Sequence, residues 1–259
     1  MGQYLKLFDT HAEYVAFTQT ADFLLPNVSH CVAENEVHYN PIVTETRILV
    51  TYNITNASDN DMQIYGYNNN NEFDNIRAVD TFDKIEIDGV EISTSVLDAA
   101  QGKYELSVGE HIIAYTLSDE TTIPEGCFGF CYTITSIAIP IGVTTIENQA
   151  FYQCYGLESI TIPNTVQTFG NYVFGDDVTI ETITFPNSVI EMGYSIFSNC
   201  QRLVSFIIEA TTPPTLGEYA FSDCSSGIKI YVPSESVNTY KAANGWSDYA
   251  SIIEAIPTI

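Results

Sequence analysis

Cys131, Cys154, Cys200 and Cys224 recur at one position of a repeated pattern, and Asp177 stands in that position where a fifth cysteine would fall. A thiol can ligate a metal, attack as a thiolate or close a disulfide, and each use needs a partner at short range. Cys127 lies four residues before Cys131, but no second cysteine pair or nearby histidine completes four ligands, so no metal site is assigned. On neighbouring rungs of a parallel ladder, about 4.8 Å apart, Cys131 and Cys154 come close enough for a disulfide. The preferred reading is buried free thiols that pack as small hydrophobes. The adjacent acids Asp176 and Asp177 suggest a glycosidase, in which two carboxylates flank a sugar. Adjacent side chains diverge, however, and Asp177 occupies the cysteine column, so a local structural substitution is the better account.

The remaining candidates are weaker. His30, Cys31 and His38 match no zinc spacing and have apolar flanks, which assigns them to packing or to a subunit interface. Asp59-Asn60-Asp61 begins like a calcium loop but lacks the following Gly and distal Glu. Nucleophilic catalysis needs a base beside the nucleophile, and no histidine occurs from Ile123 onward. The sequence therefore predicts no enzyme, no catalytic residue, no metal and no cofactor.

What positions these side chains is a repeat. Phe128, Phe151, Phe174 and Phe197 stand 23 residues apart and Phe221 follows after 24, while Pro140, Pro163 and Pro186 keep the same 23. Fixed self-similarity at this period predicts a solenoid. Ile146, Phe169, Met192 and Leu216 share one column, and Ala150, Val173, Ile196 and Ala220 another. In each rung a short strand alternates, with Ile160 and Ile162 inward and Ser159 and Thr161 outward. Stacking the rungs extends this into an outward ladder of Ser136, Ala138, Ser159, Thr161, Thr182, Thr184, Ser205, Ile207, Lys229 and Tyr231. Repeat proteins bind along such faces, so this ladder is the candidate binding face.

Four segments follow in order. Residues 1–41 read as an anchor or assembly segment, with Thr10-His11-Ala12-Glu13 as a capping box before a short helix. Residues 42–122 alternate like strands, including Arg47 to Ile54, Met62 to Tyr67 and a hairpin turning at Asp88-Gly89. Together with Lys103 to Ser107 and His111 to Leu117 they predict a small immunoglobulin-like β-sandwich that packs on the first rung of the repeats. The solenoid occupies 123–233. Residues 234–259 predict a helical cap that starts after Pro233, stops at Gly245 and covers the last rung with Tyr240, Trp246 and Tyr249. The fold class expected is mainly β: sandwich, solenoid of 23-residue repeats, helical cap.

Composition limits the partners. Eight basic and thirty-three acidic residues give a net charge of -25, which repels nucleic acid and anionic lipid. No apolar run approaches the roughly 20 residues of a membrane span. Met1 to Thr10 lacks the basic and apolar regions of a signal peptide, giving the expectation of an unsignalled N-terminus.

Ala150-Phe151-Tyr152-Gln153-Cys154, Ser159-Ile160-Thr161-Ile162-Pro163 and the closing Tyr231-Val232-Pro233 with Tyr240 to Ser247 together resemble the bacterial BspA-like, treponemal-type leucine-rich repeat family over about 123–256. That resemblance implies a right-handed curved solenoid and a surface adhesin or host-interaction role. Phe8 to Tyr14, Leu25 to Cys31 and Val37 to Pro41 resemble the leading segments of proteins carried by phages and prophages of gut Bacteroidales. The second resemblance implies attachment through residues 1–41 to virion capsid or tail proteins, with sandwich and repeats displayed outward. The combined expectation is a virion-displayed, homo-oligomeric fibre or decoration protein that holds surface glycans or host proteins. The alternative is a cell-surface leucine-rich-repeat adhesin of a gut bacterium.

Overall fold

The computed structural model describes residues 47–54, 61–63, 82–93, 103–177 and 179–257. The chain divides into two units, Met1–Ile42 and Val43–Ile259, and every described residue belongs to the second. The sequence readings on residues 1–41 and on Asp59 and Asn60 lie outside the described residues.

Among the described residues, six strands precede the repeats: β1 (Arg47–Ile54), β2 (Asp61–Gln63), β3 (Phe82–Ile87), β4 (Val90–Ile92), β5 (Lys103–Glu105) and β6 (Gly109–Leu117). Asp88 and Gly89 turn β3 into β4 with φ of 51° and 80°, the positive values a two-residue primed turn requires. β4, β3, β6 and β1 pair antiparallel in that order, while β2 and β5 pair separately as a two-strand ribbon. On β1, Ile48, Val50, Tyr52 and Ile54 are buried at alternate positions, as a strand with one covered face demands.

The first ladder of the repeats consists of two-residue strands: β7 (Thr122–Ile123), β9 (Thr145–Ile146), β11 (Thr168–Phe169), β13 (Glu191–Met192) and β15 (Thr215–Leu216). The second carries β8 (Ile134–Ala138), β10 (Ser159–Thr161), β12 (Thr182–Phe185), β14 (Ser205–Ile208) and β16 (Lys229–Val232). Within the ladders the repeat strands pair in parallel, each residue opposite its equivalent 23 or 24 positions away. Hydrogen bonding along the second ladder is interrupted between β10 and β12, which lie in separate sheets.

The junction between the two parts differs from the expected end-on packing. β1 pairs antiparallel with β8, Leu49 opposite Ala138, so the first sheet runs on edge-to-edge into the solenoid through β8 and β10. The register slips between Thr51 and Tyr52, and the Thr135 hydroxyl donates to the Thr51 carbonyl there, at 3.2 Å. An edge strand left open would invite another chain, and this pairing closes it. The core is continuous across the junction: Tyr115 meets Phe128 edge-on at 5.1 Å, and Phe82 lies 4.9 Å from Tyr115. Buried Tyr52 and Tyr115 satisfy one another through their hydroxyls, 3.1 Å apart.

Inside the solenoid the repeated phenylalanines stack. Phe128, Phe151, Phe174, Phe197 and Phe221 have successive centroid distances of 5.8, 5.5, 5.3 and 5.5 Å and interplanar angles of 6–17°. Each Phe N–H from Phe128 to Phe197 donates to the carbonyl before the next Phe: Ala150, Val173, Ile196 and Ala220. On the opposite side the backbones crowd. A Cβ on Gly193 would meet the Gly170 carbonyl carbon and oxygen at 2.4 Å, and one on Gly217 would meet the Tyr194 nitrogen at 2.4 Å. Gly193→Ala is therefore expected to cost about 2–3 kcal/mol by overpacking. At Gly227 the nearest atom is 3.8 Å away, and Gly227→Ala serves as the near-neutral control; denaturant titration of both checks the contrast.

The last rung is closed by a 3₁₀ turn at Ser234–Ser236, helix α1 (Val237–Ala242), a second 3₁₀ turn at Trp246–Tyr249 and strand β17 (Ile253–Ala255), which pairs parallel with β16. The helix ends earlier than the Gly245 stop that the sequence predicts: Ala243 leaves it in an extended conformation (φ -74°, ψ 148°), and Gly245, at φ 78°, instead opens the second 3₁₀ turn.

Candidate functional site

The ten residues of the predicted binding face all lie on the second ladder, none buried. Ser136 pairs with Ser159 and Ala138 with Thr161. Thr182, Ser205 and Lys229 form one row, and Thr184, Ile207 and Tyr231 another. The interruption between β10 and β12 divides this face into two groups. Its chemistry is mostly small hydroxyls. Lys229 is engaged by Glu254 of β17.

The cysteine column is interior. Cys131, Cys154 and Cys200 are buried and Cys224 half-buried, and all are free thiols, as is Cys127. Cys154, Cys200 and Cys224 donate to the carbonyls of Phe128, Phe174 and Phe197 at 3.1, 3.0 and 3.0 Å. Burial pushes these thiols up, Cys224 to about 12, so they are poor thiolates.

Asp176 and Asp177 diverge, as adjacency requires. Asp176 reaches the surface, accepting from the Tyr152 hydroxyl (2.6 Å), the Gln153 amide (3.3 Å) and the Asn199 amide (2.8 Å). Its partial burial would raise the carboxyl, but these three donors hold it below the ordinary carboxylate range. Asp177 is wholly buried in the cysteine column. One oxygen accepts from the Thr179 and Ile180 N–H groups, while Oδ2 has no partner. Desolvation pushes its carboxyl up to about 7 despite those two N–H groups. Two carboxylates with one sealed in the core cannot flank a sugar.

Sequence reading missed a second constellation, Ser107, His111 and Asp88. His111 Nδ1 lies 2.6 Å from Asp88 Oδ2, and Nε2 lies 3.3 Å from the Ser107 hydroxyl. That spacing resembles a serine nucleophile, base and orienting acid. Nε2, however, is closer to the Ser107 carbonyl, at 3.0 Å, a group that only accepts. In the protonated ring, which the Asp88 hydrogen bond favours, both nitrogens donate, to Asp88 and to the Ser107 carbonyl, and no lone pair faces the hydroxyl. The Asp88 hydrogen bond accordingly raises His111 above its ordinary value. The Ile112 N–H that could line an oxyanion site is bound to Asp88 Oδ1. The cluster is a clip that fastens the β3–β4 turn to β6. Its signal in the sequence was Asp88 in the primed turn together with His111 near the start of β6.

A further feature escaped the repeat alignment because its residues occupy different columns. Phe130, Tyr152, Tyr172, Tyr194 and Tyr219 form a row along the turn edge, with centroid separations of 5.6, 6.4, 5.4 and 5.5 Å. Tyr132 and Tyr155 form a second, stacked pair at 5.1 Å. Tyr132, Tyr155, Tyr194 and Tyr219 are exposed.

A mainly β parallel solenoid, with short strands in two ladders, a stacked Phe column and a C-terminal cap, defines the described repeats as a solenoid array. Residues 120–244 match the family described as BspA type leucine rich repeat region, in six copies. The T. pallidum leucine rich repeat protein TpLRR is similar at 25% identity over 46% of this chain and 53% of its own, with a TM-score of 0.41. A leucine-rich repeat protein from Bacteroides ovatus is similar at 26% identity over 43% of this chain and 29% of its own, with a TM-score of 0.39. The pneumococcal vaccine antigen PcpA is similar at 16% identity over 54% of this chain and 40% of its own, with a TM-score of 0.39. The chain spans 29–53% of the length of these proteins. No curated protein matches the chain.

Proposed function

We propose that this is a non-enzymatic display and adhesion protein of the capsid-fibre or decoration type, carried on the virion of a phage of gut bacteria as a homo-oligomer. Residues 1–41 attach it to capsid or tail proteins, and the repeat domain faces outward to hold surface glycans or host proteins. The observation that supports adhesion is the solenoid itself. Its rungs are tied by hydrogen bonds and a continuous aromatic core, so a long lateral surface is held rigid at little further entropic cost to a bound partner. The non-enzymatic reading is supported by the burial of Asp177 and by the contacts of His111 with Asp88 and the Ser107 carbonyl, which fasten a turn. Placement on a virion rests on the wording of residues 1–41. Mass spectrometry of purified particles tests it, with electron microscopy of particles made with and without this gene product. Peptides of this chain, and density that disappears with the gene, are expected; particles without the chain overturn the proposal. The BspA type repeats favour the second reading, a cell-surface adhesin of a gut bacterium, which surface immunolabelling of the bacterium would reveal.

A further inference from the structure

We propose that the tyrosine-lined turn edge of the solenoid, from Phe130 to Tyr219, binds a neutral glycan chain lying along the solenoid axis. A pyranose ring has an apolar face of C–H groups that packs on the negative face of an aromatic ring, and a rim of hydroxyls that seeks amides and carboxylates. The edge supplies both in register. Its rings recur every 5.4–6.4 Å, one to a rung, close to the advance of one pyranose unit along an extended chain.

The rings are also open in the required way. The interior phenylalanines lie nearly parallel and cover one another's faces, whereas Tyr152, Tyr172, Tyr194 and Tyr219 are turned 63–84° between neighbours. A T-shaped contact sets one ring's edge against the other's face, and Tyr219, at the end of the row, has such a ring neighbour on one side only among the described residues. Tyr194 and Tyr219 are 38% and 56% exposed, so their rings are within reach of a ligand in solution.

Beside the aromatic row runs a polar one. Gln153, Asp176 and Asn199 occupy equivalent positions on successive rungs, all with φ between 56° and 61°, and are joined through the Asp176 carboxylate. The same carboxylate accepts from Tyr152 and so fixes that ring, which makes Asp176 a positioning residue. Asp176 stays ionised, and its Oδ1, which among the described residues accepts from Asn199 alone, retains a lone pair for a sugar hydroxyl. The net charge of -25 selects uncharged sugars over sulfated or uronic ones. The sheet face, by contrast, offers one aromatic residue, Tyr231, among small hydroxyls.

This site deepens the adhesion reading and rests on it only for its purpose. The test is native electrophoresis of the full chain through gels containing mannan, galactomannan or a soluble β-glucan, in physiological salt. The expected result is retardation in at least one, weakened about tenfold by Tyr194→Ala with Tyr219→Ala, the loss one aromatic anchor carries. Thr182→Ala with Thr184→Ala on the sheet face leaves the retardation intact. Both Tyr positions are exposed, and unchanged melting curves establish that the variants fold. Retardation absent from all three gels overturns the site, as does retardation that the tyrosine variant retains. Binding that appears only with polylysine and vanishes in salt also overturns it, by pointing to a cationic peptide. Particles lacking the chain would sink the virion reading while leaving the gel result untouched.

Discussion

Asparagine at position 177 is expected to stabilise the protein by about 4 kcal/mol above pH 8 and by almost nothing below pH 4. Asp177 replaces a thiol whose counterparts donate to a Phe carbonyl of the preceding rung, and the register assigns Phe151 O as its acceptor. A carboxylate cannot donate, so its Oδ2 is buried without a partner. Desolvation of this buried group is why it holds its proton up to about 7. The unfolded chain loses that proton near pH 4. Between those values the folded state binds one proton more than the unfolded state, so this stability is present below pH 4 and is lost as pH rises through 7. The groups around it are the buried thiols Cys154 and Cys200 and the ionised Asp176, none of which supplies positive charge. The asparagine amide supplies the missing donor at every pH while its oxygen keeps the Thr179 and Ile180 bonds. Denaturant titrations of Asp177→Asn and the natural chain at pH 4, 6 and 8.5 measure the difference directly. A difference independent of pH would place the strain elsewhere. His111 adds to the same trend, because its raised value means that its contribution is fully present below about pH 6.5 and fades as pH rises through its folded value.

Most of the solenoid was legible because its columns recur at a fixed interval and its core residues are apolar. The stacked Phe column, the inward Ile positions and the interior cysteines follow from the 23-residue period alone. The Asp88-Gly89 hairpin was legible for a local reason, its demand for positive φ. What escaped was set by the third dimension. The edge pairing of β1 with β8 joins residues far apart in sequence, and strand alternation does not say which edge is free. Positive φ at Gln149, Tyr172, Ser195 and Tyr219, and at Gln153, Asp176, Asn199 and Asp223, is carried by residues other than glycine, which give no sign of it. The ladder of hydrogen bonds imposes that conformation on whatever side chain is present. The tyrosine row was hidden in a similar way: Tyr152, Tyr172 and Tyr194 occupy three different columns, and only the tight turn around each Phe brings their rings into line.

Trp246→Ala is expected to cost about 4–5 kcal/mol and to lower the melting temperature by roughly 10 °C, with the loss beginning at the C-terminal rungs. A solenoid has no interior at its ends. The final rung exposes an apolar face and carbonyls that the next rung would otherwise have bonded. Trp246 answers both needs, being fully buried, packed edge-on to Tyr240 at 4.8 Å, and donating from its indole N–H to Pro214 O at 2.8 Å. Tyr240 donates to Ala210 O and Ser236 to Thr211 O, so the three side chains together satisfy one turn of backbone. Truncation opens a cavity and leaves a buried acceptor unpaired. Trp246→Phe separates the two terms, since it keeps most of the ring and loses the N–H; it should cost about 2 kcal/mol. Because repeat stability is a sum of rung and interface terms, the damage should be graded along the axis. Hydrogen exchange is then expected to accelerate most at Leu216 to Ile230, less at the Phe174 rung, and least in β1 and β6. Uniform acceleration across all strands would mean that the solenoid and the antiparallel sheet unfold as one unit, which the continuous Tyr115–Phe128 contact also permits, and would move the weak point away from the cap.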